Sequence, residues 1–132
     1  MRIAVIGVFA AALVCCGCAS PPTPKERFDK ASVDAKANRA TPAGLAYEEE
    51  LSAHFQQRNG DVLMQCIKSM EKPDPASFEM IFEVSGTGAA RSILVWPETN
   101  LALCFKERLI SMPFPVPPKD GYLASMEMSF TP

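Results

Sequence analysis

A chain of 132 residues, 48% hydrophobic and 21% charged, is long enough for one domain and no more. Its formal charge of -2 argues against a nucleic-acid partner, which calls for a basic patch or stripe. The single histidine leaves few triad or dyad arrangements open, and 12 prolines divide the chain into short elements and linkers.

The first segment reads as an export signal. Arg2 supplies a positive charge, and Ile3 to Val14 runs without a polar residue. That length suits a signal-peptide apolar region and is too short for an ordinary membrane-spanning helix of about 20 residues. Three cysteines, Cys15, Cys16 and Cys18, follow within four residues. The run "VCCGC" resembles a bacterial lipobox, in which a small residue precedes a cysteine that becomes lipidated. Cys18 fits best, with Gly17 before it, although Cys15 stands where leucine is usual. Lipidation at Cys18 is therefore expected. Cleavage after Ala19, leaving a plain secreted protein, is the alternative. An acyl anchor would hold the protein on a membrane. The resemblance implies the outer membrane, periplasmic face, because Ala19 rather than aspartate follows the cysteine.

Ser20 to Pro42 is polar, contains four prolines, and offers only Phe28 and Val33 as sizeable apolar residues. It reads as a tether, with at most a short surface helix near Lys25 to Asn38. Thr41-Pro42 then makes a good helix start. Tyr47, Leu51 and Phe55 repeat at four-residue spacing along one helix face, and Asn59-Gly60 ends it. Leu63, Cys66, Ile67 and Met70 share the face of a second helical segment, stopped by Pro73 and Pro75.

At Phe78 the period changes from about 3.6 to 2. Phe78, Met80, Phe82 and Val84 alternate with Glu79, Ile81 and Glu83, which predicts a strand with one apolar face. A turn with two glycines and the strand from Arg91 to Pro97 complete a hairpin. Thr99 or Asn100 can cap a helix carrying Leu101, Cys104, Phe105 and Leu109 on one side. The proline-rich run from Pro113 to Gly121 precedes a third alternating strand, Tyr122 to Phe130. The expected fold is α+β, order α-β-β-α-β, with a small three-stranded antiparallel sheet whose helices cover one side. Its parts are a signal peptide over 1–17, a lipidated N-terminus and flexible tether over 18–42, and the folded domain over 43–132.

Cys66 and Cys104 lie on apolar faces that should meet over the sheet. In an exported protein a disulfide between them is expected, closing a loop worth about 4 kcal/mol in the chain-entropy model. Two separately buried thiols are the alternative. One histidine and two cysteines fall short of a zinc site, and no cofactor is expected. His54 is read as a helix-flank residue, Glu48-Glu49-Glu50 as a solvated helix face, and Glu79 and Glu83 as exposed strand positions. Trp96 reads equally as a partner-facing or a half-buried aromatic.

Phe82 to Gly88, Cys104 on its helix, the "FP-x-PP" element of Phe114, Pro115, Pro117 and Pro118, the last strand ending at Phe130, and Cys66 before them resemble the C-terminal domain of the TonB/TolA family, especially its cysteine-containing envelope relatives. The resemblance covers about Asp61 to Pro132. It implies a non-catalytic adaptor that binds an envelope protein by adding a strand to an exposed sheet edge. The binding edge would be the last strand, with Tyr122, Ala124, Met126, Met128 and Phe130. It also implies that "FPVPP" is a rigid connector packed on the sheet rather than a polyproline ligand. The short tether departs from the family's energy transducers, so a local binding role is expected, not force transmission. The alternative function is an immunity or inhibitor lipoprotein that neutralises a toxin or an envelope enzyme.

Overall fold

The computed structural model describes residues 17–130. The signal segment expected over 1–17, with Cys15 and Cys16, lies outside the described residues except for Gly17. The described chain runs α1 (Pro24–Arg39), α2 (Pro42–Arg58), α3 (Gly60–Ser69), β1 (Phe78–Val84), β2 (Ala90–Trp96), α4 (Asn100–Leu109) and β3 (Tyr122–Met128).

Three of the four described helices, α1, α2 and α4, start at a threonine cap. Thr23 and Glu26 form a capping box: the Glu26 N–H donates to the Thr23 hydroxyl at 3.2 Å, and the Thr23 N–H donates to the Glu26 carboxylate at 2.7 Å. Thr41 caps α2 by accepting the Gly44 N–H at 3.0 Å. Thr99 caps α4 by accepting the Ala102 N–H at 3.1 Å. In α2, Tyr47, Leu51 and Phe55 are buried as their spacing predicts.

The three strands form one antiparallel sheet of order β2-β1-β3. The α+β class and the element order are as expected. On the inner face, Phe78, Met80, Phe82 and Val84 meet Ile93 and Val95 of β2, Tyr122 and Ala124 of β3, and the apolar sides of α2, α3 and α4. The aromatic rings interlock: Phe82 lies 5.3 Å from Phe114 and Phe55 lies 6.1 Å from Phe105, centroid to centroid. Cys66 and Cys104 form a disulfide joining α3 to α4, with Cα atoms 5.9 Å apart.

The outer face is not bare. The segment read as a tether holds α1, which lies across that face and buries Phe28, Ala31, Ser32 and Ala35. Phe28, Ala31 and Ala35 pack on Ile81, with Leu94 and Leu123 at the margin. Helices therefore cover both sides of the sheet, not one, and the folded domain starts at Pro24 rather than at residue 43. The physical reason is close approach: alanine and serine let the α1 backbone settle onto the sheet, so Phe28 suffices as its one large anchor.

Two glycines fix close contacts. A Cβ on Gly44 would come within 1.9 Å of the Asn38 carbonyl oxygen and 2.6 Å of the Tyr122 hydroxyl, so glycine alone lets α1, α2 and β3 meet. Gly88 has φ +85°, and a Cβ there would fall 2.4 Å from the Phe114 carbonyl oxygen. The Phe114 N–H donates to the Gly88 carbonyl at 2.8 Å, which holds the proline-rich connector against the hairpin turn.

Candidate functional site

Among the described residues β3 is an edge strand, paired only with β1. In an antiparallel sheet each residue turns both backbone groups to one side, and successive residues alternate. Asn38 Nδ2 donates to the Leu123 carbonyl from outside the sheet at 3.0 Å. Leu123, Ser125 and Glu127 therefore turn their backbone groups to the free edge, while Tyr122, Ala124, Met126 and Met128 turn theirs to β1.

That register relocates the expected partner-binding residues. Tyr122 and Ala124 are buried in the inner core, and the Tyr122 ring meets Tyr47 edge-on at 5.0 Å. Met126 and Met128 are half-buried against the same core, and Phe130 packs on Phe78 at 5.8 Å. Their side chains point inward. The groups an added strand would meet belong to Ser125 and Glu127, which the sequence reading did not name. Alternation divides β3 into two sets, and the register against β1 decides which set lines the edge: residues whose side chains enter the core pair their backbone inward here.

The edge is closed at one end and open at the other. At the closed end Asn38 occupies the Leu123 carbonyl, and Glu48 and Ser125 stand together on the wall of the seam. Toward Ser129 the edge faces a groove between β3 and α2. One part, of about 360 Å³, is lined by Arg39, Leu45, Glu48, Glu49, Ser52, Ser125, Met126 and Glu127. The adjoining part, of about 260 Å³, shares Ser52, Met126 and Glu127 and adds Phe55, Gln56, Met128 and Ser129.

Glu48, read as part of a solvated acidic face, is instead drawn into this seam. Its side chain is only 10% exposed, and Oε2 pairs with Arg39 Nε at 3.2 Å. Oε1 is buried without a hydrogen-bond partner. Burial raises the Glu48 carboxyl above its ordinary range, and Arg39 and the Ser125 N–H offset part of that rise. The Tyr122 hydroxyl, also buried without a partner, has its pKa raised by burial and then by the Glu48 charge. Glu127 stands directly opposite Glu79 across β1 and β3. The ion pairs of the described residues involve neither of these two, nor Glu49. Like charges facing each other across strands are unfavourable unless a cation joins them.

The other singled-out residues bind the fold together. His54 Nε2–H donates to the Pro113 carbonyl at 3.0 Å, and the Tyr47 hydroxyl donates to the Pro115 carbonyl at 3.0 Å, so α2 clasps the connector. Pro117 is buried and Val116 exposed. Trp96 is 36% exposed, precedes a cis bond to Pro97, and carries Lys25 Nζ 5.4 Å above its ring. Glu83 accepts from Ser92 Oγ at 3.2 Å and lies 4.0 Å from Arg91. Asp120 accepts the Gly86 N–H and two hydrogen bonds from Arg91, which hold its carboxyl below the usual range. Among the described residues, no group of three or more His, Cys, Asp or Glu side chains could hold a metal ion. Cys18 is exposed and unpaired.

Set beside models of known protein families, curated proteins and solved structures, the chain matches none of them.

Proposed function

We propose that the protein is a lipoprotein of the outer membrane, anchored through Cys18, whose domain binds an envelope protein by strand addition at the free edge of β3. The observation that carries this reading is the half-open edge: Glu127 turns its N–H and carbonyl to a groove walled by α2. An extended segment laid there would gain main-chain hydrogen bonds from the edge and side-chain contacts from the groove. The resemblance to TonB/TolA C-terminal domains supports the same mode, and the function is non-catalytic.

Glu127 also supplies the test. Its N–H points away from β1, so proline at this position removes an edge donor and leaves the β1 ladder intact. Capture of envelope proteins on wild-type protein and on Glu127→Pro should differ in a specific partner while both melt alike. Identical capture by the two proteins would sink the edge as the binding surface. Mass spectrometry of the mature protein tests the anchor: an acylated N-terminal Cys18 is expected, and an unmodified N-terminus at Ser20 would remove it.

A further inference from the structure

The closed end of the β3 edge is closed by α1. This helix crosses the outer face from one edge strand to the other. Lys25 in its first turn stands over the Trp96 ring at the end of β2, and Asn38 in its last turn reaches the edge of β3. Among the hydrogen bonds and ion pairs of the described residues, one joins α1 to the sheet: the 3.0 Å bond from Asn38 Nδ2 to the Leu123 carbonyl. The rest of its hold is apolar, with Phe28, Ala31 and Ala35 on Ile81 and with Leu94 and Leu123 beside them. Phe28 is the one large side chain that α1 contributes to that cluster, and Val33 on the same helix is 67% exposed. A helix held in this way has little apolar area to lose on opening.

Strand addition and the Asn38 bond compete for the same atom. An added strand takes the backbone groups that face the edge, those of Leu123, Ser125 and Glu127. With Asn38 in place the Leu123 carbonyl is already engaged. The corner between α1 and α2 also fills that end, where the Asn38 carbonyl accepts from the Thr41 N–H at 3.3 Å and from the Thr41 hydroxyl at 2.9 Å. An arriving strand then pairs with Ser125 and Glu127 at most, a ladder at the short limit for strands. To gain Leu123 it must displace the Asn38 amide, and with it the polar tie between α1 and the sheet.

We infer that α1 is a latch on the β3 edge: docked, it confines an added strand to Ser125 and Glu127, and undocked, it opens the edge through Leu123. This rests on strand addition at β3 and adds to it the regulation of that site. Linkage makes the opposition reciprocal. Whatever loosens α1 tightens the added strand, and a strand that reaches Leu123 loosens α1 by the same factor.

The probe is a library of random heptapeptides displayed on phage. It is panned side by side against wild type and Phe28→Ala, each purified from envelopes in detergent, and selected peptides are synthesised. Binders lost on Glu127→Pro in the same background are edge binders. Phe28→Ala should bind these about tenfold more tightly than wild type, the effect of two further main-chain hydrogen bonds at Leu123. Asn38→Ala removes the plug and keeps Phe28, so it carries the test should Phe28→Ala disturb the inner core. It should tighten binding several-fold, and the two substitutions together should give less than the product of their separate effects, since both release one latch. Hydrogen exchange gives the reciprocal reading. A saturating edge binder on wild type should speed exchange of the α1 amides from Phe28 to Ala35 while protecting that of Glu127. Edge binders that hold all three proteins alike and leave α1 protected overturn the latch and leave strand addition standing. If no peptide selected on either protein is sensitive to Glu127→Pro, strand addition fails, and the latch with it.

Discussion

The two faces of the sheet are built on different principles. The inner face is an aromatic jigsaw in which Phe55, Phe78, Phe82, Phe105 and Phe114 interlock beneath three helices, with a disulfide across two of those helices. The outer face offers Ile81 as its fully buried centre, and one helix whose packing face is mostly small residues lies over it. The inner face resists change because many large groups share each cavity. The outer face depends on one element, and a single docked helix is expected to open locally before a shared core does. What unites them is the seam where Asn38, Gly44, Glu48 and Tyr122 bring α1, α2 and β3 together.

The sharpest way to break the comparison is Phe82→Ala. It removes the ring between Phe55 and Phe114 and should cost about 3–5 kcal/mol in a urea titration, with the whole domain melting together. Next comes the disulfide: the Cys66→Ser, Cys104→Ser pair should lose up to about 4 kcal/mol, since the released loop spans 38 residues. In both variants the inner face should unfold in one step, with no part of it outlasting the rest. Phe28→Ala should behave differently. It is expected to cost about 2–3 kcal/mol at most, because α1 can undock before the rest unfolds. Hydrogen exchange would then show α1 amides losing protection while those of β1 keep theirs; simultaneous loss in both would merge the two faces into one cooperative unit.

The smallest effect concerns Glu48. Its folded-state carboxyl is raised above the ordinary value of 4.5, so the folded protein holds this proton more tightly than the unfolded chain does. Its contribution therefore favours folding at acid pH and is lost as pH rises from about 4.5 through the raised value. Asp120 has the opposite sign, and its contribution is lost only as pH falls below its ordinary 3.8, so the two windows stay apart. Denaturation midpoints measured between these limits and neutrality should fall less steeply with pH in Glu48→Gln than in wild type.

The contrast between faces also marks what could be read before the fold was known. The inner face was legible because Phe78, Met80, Phe82 and Val84 alternate cleanly and Leu101, Phe105 and Leu109 keep helical spacing. Ile81, flanked by Glu79 and Glu83, looked like one apolar residue on a wet face. Phe28, Ala31, Ser32 and Ala35 looked like a solvated helix, because small residues carry little hydrophobic signal even when they pack. The last segment was legible as a strand, and its place at an edge came only from the resemblance. Which of its residues face the edge was not legible, since that depends on register against β1. Glu48 was hidden for a related reason: nothing local separates it from Glu49 and Glu50, and only the return of α1 over the seam buries it.

The docking of α1 sets how far the domain can stand from its anchor. A free tether from residue 18 to residue 42 could extend some 80 Å at about 3.3–3.6 Å per residue. With α1 folded onto the sheet and Thr23 capping it, five residue steps from Cys18 to Thr23 remain to span the gap, about 17 Å when fully stretched. Under the proposed acylation of Cys18, the domain would thus be moored close to the lipid headgroups. It could sweep a narrow zone at the membrane and no farther, and any strand it captures would have to be delivered there.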